Sequence, residues 1–314
     1  MELDEFAPHG SGVLDPRCSG TAIPAYRDRD LFENAPVPMP PSFNEADVSD
    51  KPSFIRAQPP LSSAQIADLK RRHGCRLASL RAVDRGVGRI SEALREEHAL
   101  GNTVIIFTSD NGWLQGQHRV PGSKVDPYEE SLHVPLIARL PRRMRGPGGA
   151  PHQLRSTVAN VDVAPTILRL AGAKPCPRSG PCRILDGRSL LKAIRSDGRR
   201  WPRSRGIPLE LRTPQLRARP FTPCDYQGVR TRYDVLVNYH SATQAQRGVC
   251  NPLEEFEHYD LRSDPFELDN LYPAATGSAE AARERSLLER LARLRDCAGL
   301  KGRDPTPASG HYCQ

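Results

Sequence analysis

The sequence predicts an α/β protein, a sheet with flanking helices, followed by a smaller C-terminal α+β unit. Three observations lead there. A long amphipathic helical pattern runs into the short apolar stretch Val104-Ile105-Ile106-Phe107, which makes one helix–strand unit. A second apolar run, His133 to Ala138, supplies another strand. Beyond the Pro- and Arg-rich stretch from Arg195 to Pro223, the pattern changes to antiparallel strands and a last helix. The chain is therefore divided into residues 1–205 and 206–314.

The elements follow in order. Residues 1–60 are rich in Pro, Asp and Asn and carry no helical period, so they read as extended, irregular chain. Ser62-Ser63-Ala64-Gln65 has the form of a capping box. Ile66, Leu69, Leu77, Leu80, Val83, Val87, Ile90 and Leu94 then recur at three- and four-residue steps and mark one apolar helix face. Gly86 and Gly88 either break this helix or permit close packing, and Gly101 closes it. The wholly apolar run ending at Phe107 suits a strand buried on both faces of a parallel sheet. Asp162 is placed to cap a helix over Val163–Leu170, with Pro165 in its first turn and Gly172 past its end. Arg230–Tyr239 and Glu255–Leu261 read as strands, and Ala279–Cys297 as an amphipathic helix with Leu287, Leu288, Leu291 and Leu294 on one side. There is no internal repeat.

Composition narrows the function classes. Only 38% of the 314 residues are apolar, and 30 Pro with 24 Gly imply many loops, which argues against a helical bundle. No stretch approaches the roughly 20 apolar residues that span a bilayer. Met1 to Glu5 is acidic and no apolar run follows, so no signal peptide is expected. The net charge is +8, carried mostly by arginine: lysine occurs only at 51, 70, 124, 174, 192 and 301. Arginine clusters at 139–145 and 195–205 suit phosphate or sulfate groups, but no stacking aromatics or groove-reading motif accompany them. A solvated Arg-biased surface is the better reading, and nucleic acid is not expected as a partner.

The eight cysteines form no Cys-x-x-Cys pair and no zinc-finger spacing. Cys176 and Cys182 flank a loop and Cys297 and Cys313 bracket the tail, so local disulfides are expected at both places. Disulfides imply an oxidising compartment, in tension with the missing signal peptide. A longer protein whose N-terminus is absent reconciles the two.

Polar residues follow the strand at once: Thr108, Ser109, Asp110, Asn111 and Gly112. Open α/β sheets bind ligands at the carboxyl ends of their strands. Asp110 and Asn111 offer a carboxylate and an amide oxygen, hard donors suited to Ca2+ or Mg2+. Taken alone, Asp-Asn-Gly is equally a plain turn.

The continuation decides between them. Ser109-Asp110-Asn111-Gly112, Gly116-Gln117-His118-Arg119, Gly122-Ser123-Lys124, Tyr128-Glu129-Glu130 and His133-Val134-Pro135-Leu136-Ile137 together resemble the second half of the catalytic domain of type I sulfatases. The resemblance extends to Ala7-Pro8-His9, to Val161–Thr166, to Asp186–Leu190, and to Tyr259-Asp260-Leu261 with Asp264-Pro265, which is similar to a family LYDLxxDPxE segment. It implies an alkaline-phosphatase-like α/β fold, incomplete in this chain, and hydrolysis of sulfate esters of sugars or aryl compounds. Within the family the block is most similar to N-acetylglucosamine-6-sulfatases and related arylsulfatases. On this resemblance Asp110 and Asn111 match the late pair of Ca2+ ligands, and Lys124 the lysine on the substrate sulfate. His9 matches an active-site histidine, and His118 is a further candidate for substrate contact. The chemistry agrees with the match. A sulfate ester gains negative charge on its oxygens and leaving group as the S–O bond breaks, and a fixed point charge stabilises it.

The family nucleophile is a formylglycine made from the cysteine of Cys-x-Pro-Ser-Arg, and no cysteine here stands in that motif. Nor is there the paired-aspartate strand end that supplies the other Ca2+ ligands. The expectation is a C-terminal sulfatase portion without turnover of its own, exposing apolar surface and a strand edge. A separate N-terminal half is then a candidate partner. Two alternatives stand beside it: a phosphate- or phosphonate-ester hydrolase of the same superfamily, and a non-catalytic remnant that binds sulfated glycans through Arg and Lys124. An extracellular or periplasmic location is expected of a full-length relative.

Overall fold

The computed structural model describes residues 2–11, 15–145, 153–174, 183–213 and 219–314. The expected Cys176–Cys182 bridge lies outside the described residues.

The N-terminal segment is mostly turns, with a 3-10 turn at Tyr26–Asp28 and one short helix, α1 (Ser53–Arg56). It wraps onto the long helix α2 (Ser63–Glu96). The capping box forms as expected: the Ser62 hydroxyl accepts from the Gln65 amide, while the Gln65 side chain accepts from the Ser62 amide. Gly86 and Gly88 neither break the helix nor meet a tight neighbour. Close approach occurs instead at Gly74, where a Cβ would stand 2.6 Å from the Phe32 carbonyl oxygen. Disulfide Cys18–Cys75 fastens the same place. The helix ends before Gly101, at the cap Glu97, with His98 in the left-handed region (φ 52°). Its second half is thinly covered, and Val87 is 41% exposed.

Strand β1 (Ile105–Thr108) pairs with β2 (Leu136–Arg139), and the pairing is antiparallel, Ile105 opposite Arg139 and Thr108 opposite Leu136. This corrects the expected parallel, doubly buried strand. The chain between the two strands folds back on itself, so β2 returns beside β1 in the opposite direction. Phe107 and Ile137 remain 42% and 61% exposed. Pro135 lacks an amide donor, and β2 starts only after it, later than the apolar run suggested. A short helix, α3 (Glu129–Leu132), precedes it.

Helix α4 (Val163–Leu170) forms over the expected residues, but Asp162 makes no side-chain cap. Its buried carboxylate accepts from the Ala159 and Arg188 amides and from both terminal nitrogens of Arg205, at 2.5 and 2.8 Å. A charge this deep needs a full-charge partner, and that requirement overrides the cap. The short helix α5 (Leu191–Arg195) packs Leu190 and Ala193 on Trp201.

The C-terminal part is a four-stranded antiparallel sheet in the order β3 (Ile207–Arg212), β4 (Pro223–Arg230), β5 (Asp234–Thr243), β6 (Cys250–Asp260). The expected strand over 230–239 forms as β5, starting later, at Asp234, and β4 is an additional strand that ends at Arg230, before the bend at 231–233. The Arg-rich stretch before Pro223 hides β3. Side chains alternate as a pleat requires. Val235, Val237 and Tyr239 face α1 and the segment after β1, with Phe54, Ile55, Leu114, Val120 and Tyr128. Leu236 faces the other way, onto Leu287, Leu291 and Leu294 of helix α6 (Ala279–Leu294). Disulfides Cys224–Cys250 and Cys297–Cys313 close this part, the second as expected. Among the described residues, no helix is long and apolar enough to cross a membrane.

Candidate functional site

The segment from Ser109 to Leu132 leaves β1, doubles back, and is clamped against the C-terminal sheet. At its start, the Ser109 hydroxyl donates to the Asn111 carbonyl (2.8 Å), and the Asp110 carboxylate accepts from the Asn111 amide (2.9 Å). Asn160 reaches over from the turn before α4, its side-chain nitrogen donating to the Ser109 and Asp110 carbonyls at 2.9 and 3.2 Å. The Asn111 side-chain nitrogen donates to the Gly112 carbonyl (2.8 Å), which leaves the amide oxygen as the free acceptor. The pair is thus both a turn and a presentation of hard oxygens. Asp110 is exposed and Asn111 half-buried.

Gly112 is required by contact. A Cβ there would fall 2.0 Å from the Glu130 carbonyl oxygen, because the Gly112 and Trp113 amides pair with the Ser131 and Glu130 carbonyls. Leu114 then bridges Ser123 in antiparallel fashion. That register sets Lys124 opposite Trp113, two residues from Asn111. The Lys124 ammonium is exposed and makes no ion pair among the described residues. Trp113 is held from behind by the Arg76 guanidinium, 4.8 Å from the ring. Burial beside Arg72 lowers the Arg76 pKa to about 10.

The tip of the segment is strained: His118 (φ 51°) and Arg119 (φ 62°) both lie in the left-handed region. Arg119 holds it there by donating to the Glu45, Gln58 and Ala46 carbonyls. His118 is completely buried, stacked on Tyr128 at 3.9 Å, with Nδ1 2.7 Å from the Glu45 carboxylate. The His118 side chain has no exposed surface and so faces the core, away from solvent. His9 is exposed, packs on Phe6, and hydrogen-bonds through Nδ1 to the Gly10 carbonyl. No contact among the described residues joins it to Asp110, Asn111 or Lys124. The structure therefore brings Asp110, Asn111 and Lys124 to one segment, sends His118 inward, and leaves His9 apart.

Beneath the segment lies a set of buried carboxylates that the sequence reading missed. Glu257 of β6 accepts from the hydroxyls of Tyr128, Tyr239 and Tyr259 at 2.9, 2.5 and 2.5 Å. Burial raises its pKa, and the three phenols offset part of the shift. Asp126 is buried without a side-chain partner for either oxygen, and desolvation pushes it up to about 6. Glu267 is buried too, one oxygen accepting from the Glu129 amide (2.8 Å), and burial raises it well above the usual carboxylate range. Glutamate is usually a surface residue, so nothing local marks these positions. The one signal was the glutamate of Asp264-Pro265-Phe266-Glu267, a motif noticed for its resemblance but given no role.

Comparison with known proteins gives one consistent answer. The sulfatase family model matches residues 36–173, which include Asp110, Asn111, His118 and Lys124. An arylsulfatase of Volvox carteri is 33% identical over 294 residues, 86% of this chain and 44% of the relative. Human N-acetylglucosamine-6-sulfatase is 33% identical over 57% of this chain and 30% of its own length. Among solved structures, a protein in complex with its substrate D-glucosamine-2-N,6-O-disulfate is 28% identical, with a TM-score of 0.57, over 74% of this chain and 42% of that one. The phosphonate monoester hydrolase of Agrobacterium radiobacter is 26% identical, with a TM-score of 0.52, over 72% of this chain and 42% of that one. The chain spans about half the length of the first curated relatives it matches. The α/β fold, the ordered motifs and these relatives agree: the chain carries a sulfatase-family domain, matched over residues 36–173, and is similar to sulfatases over most of its length.

Proposed function

We propose that this chain carries the Ca2+-ligand and sulfate-binding part of a sulfuric ester hydrolase centre, acting on sulfate esters of an amino sugar or an aryl compound. The observation that supports this reading is the Leu114–Ser123 bridge, whose antiparallel register sets Lys124 opposite Trp113, two residues from Asn111. The donor set fits Ca2+ as far as it goes: one exposed carboxylate and one amide oxygen, both fixed by backbone hydrogen bonds. A bound Ca2+ would neutralise charge on the ester sulfate. Lys124 supplies a second, compact cation against the same oxygens, and its lack of an internal partner leaves it available. His9, in the segment Ala7-Pro8-His9, is the candidate for the leaving oxygen.

Ca2+ takes six to eight oxygens, of which this pair gives two, and no Cys-x-Pro-Ser-Arg occurs in the chain. The 314-residue polypeptide is therefore expected to bind a sulfated sugar without turning it over, and a separate polypeptide that completes the centre is a candidate partner. The three disulfides among the described residues suit an oxidising compartment.

The experiment measures binding of a sulfated glucosamine to the purified chain with and without Ca2+, beside hydrolysis of an aryl sulfate and of a phosphonate monoester. Ca2+-dependent binding that Lys124→Ala and Asp110→Ala both weaken supports the reading. Binding that ignores Ca2+ but needs Lys124 favours the glycan-binding remnant. Turnover of the phosphonate ester alone replaces the substrate class.

A further inference from the structure

We propose that His118, Glu130 and Glu267 form a binding site for one divalent transition-metal ion of the zinc type. One ligand atom from each of the three lies within 4.8 Å of the others. Each of the two fully buried members also holds an unpartnered atom: His118 Nε2 and Glu267 Oε1 are buried with no hydrogen-bond partner among the described residues, on side chains with no exposed surface. Unsatisfied polar atoms in a core are costly, and an ion bound by both side chains removes that cost.

The supporting contacts prepare each ligand. His118 Nδ1 lies 2.7 Å from the Glu45 carboxylate, so the ring contacts Glu45 through Nδ1 and keeps Nε2 for a ligand. This carboxylate–histidine arrangement is the one that orients metal-ligating imidazoles. Glu45 is fixed in turn by the buried Lys51 ammonium at 3.2 Å. Glu267 spends Oε2 on the Glu129 amide, which leaves Oε1 for a ligand. Glu130 accepts only a long bond of 3.3 Å from the Ser42 hydroxyl, so its carboxylate is lightly committed.

Charge and geometry agree with the choice of ion. A neutral imidazole with two carboxylates sums to −2, which a divalent ion cancels in a site where unpaired charge is penalised. One nitrogen and two carboxylate oxygens suit zinc or cobalt better than calcium, which prefers all-oxygen sets. Tetrahedral zinc with bonds of about 2.0–2.2 Å holds its ligand atoms roughly 3.3–3.5 Å apart. The cluster therefore contracts slightly on binding, and the half-buried Glu130 is the side chain free to move. Three protein ligands would leave a fourth position for water. The site uses neither Asp110 nor Asn111.

The test titrates the chelator-stripped 314-residue chain with Co2+, followed by visible absorption, and with Zn2+ against a chromophoric chelator. The expected result is one equivalent, a cobalt spectrum of low coordination number, and a Zn2+-dependent rise in Tm. Glu130→Gln changes a half-exposed residue, so its metal-free melting should match the wild type while Zn2+ affinity falls at least tenfold. Asp110→Ala should keep the zinc equivalent. The proposal is overturned if the stripped chain takes up no stoichiometric metal, or if a folded Glu130→Gln protein binds as tightly as the wild type.

Discussion

The Tyr128 hydroxyl donates to the Glu257 carboxylate at 2.9 Å and joins residues 129 positions apart. Tyr128 belongs to the segment that carries Lys124, and Glu257 to the central face of the C-terminal sheet. Through this bond, and through the stacking of His118 on the same ring, the sheet fixes where the segment lies. Tyr128→Phe removes one of three donors from a buried carboxylate. A loss of about 1–3 kcal/mol is expected, read by urea denaturation, with weaker binding of the sulfated sugar because Lys124 loses its support.

Asp126 gives a pH signature. Burial raises its folded pKa from 3.8 to about 6. The folded state therefore holds a proton that the unfolded state has released between those values, and stability falls as pH rises through the window. The size is on the order of 3 kcal/mol. Asp126→Asn keeps the shape and removes the ionisation. Its denaturation midpoint should vary less between pH 4 and 7 than that of the wild type, and equal slopes would contradict the assignment.

Arg205 and Asp162 are a buried, bidentate pair with side chains 2% and 0% exposed. Removing one partner strands the other charge. Arg205→Ala is expected to cost about 3–5 kcal/mol, and the neutral double replacement Arg205→Met with Asp162→Asn distinctly less. Circular dichroism melts of the three proteins check the order.

Lys124 is exposed and unpaired among the described residues, so its loss should leave the fold alone. Lys124→Ala is expected to keep the wild-type Tm and to weaken the sulfated sugar roughly tenfold, about 1.4 kcal/mol. A change in Tm larger than the change in affinity would assign Lys124 to structure.

Closing the tail, Cys297 and Cys313 are 16 positions apart. The loop-entropy relation gives about 3 kcal/mol for a bridge of this span. Cys297→Ser with Cys313→Ser should lower the melting temperature by that measure and leave sugar binding unchanged, because the tail's hydrogen bonds run to Asp186, Gly187 and Arg188 and, among the described residues, none joins it to the Lys124 segment.

Local patterns carried much of the fold into view. The capping box of α2, the apolar faces of α2 and α6, helix α4 and the tail disulfide all depend on residues close in sequence. The order of motifs from Ser109 to Ile137 carried the family. What was hidden had a common cause. Strand β3 is masked by flanking Arg and Pro, and β4 (Pro223–Arg230) mixes polar residues, Gly and Pro without a clear alternation. The antiparallel pairing of β1 with β2 depends on how the intervening segment folds, which no periodicity records.

The sequence by itself determined the helix faces, the strand end at Asp110-Asn111 and the family, because these rest on short-range spacing and ordered motifs. Tertiary structure alone decided what the charged residues do. It drew His118 inward and made Asp162 the partner of Arg205 where a helix cap was expected. It also gathered Glu257 and Glu267 beneath the Lys124 segment. Burial sets the cost of each charge, and burial belongs to the packed chain as a whole.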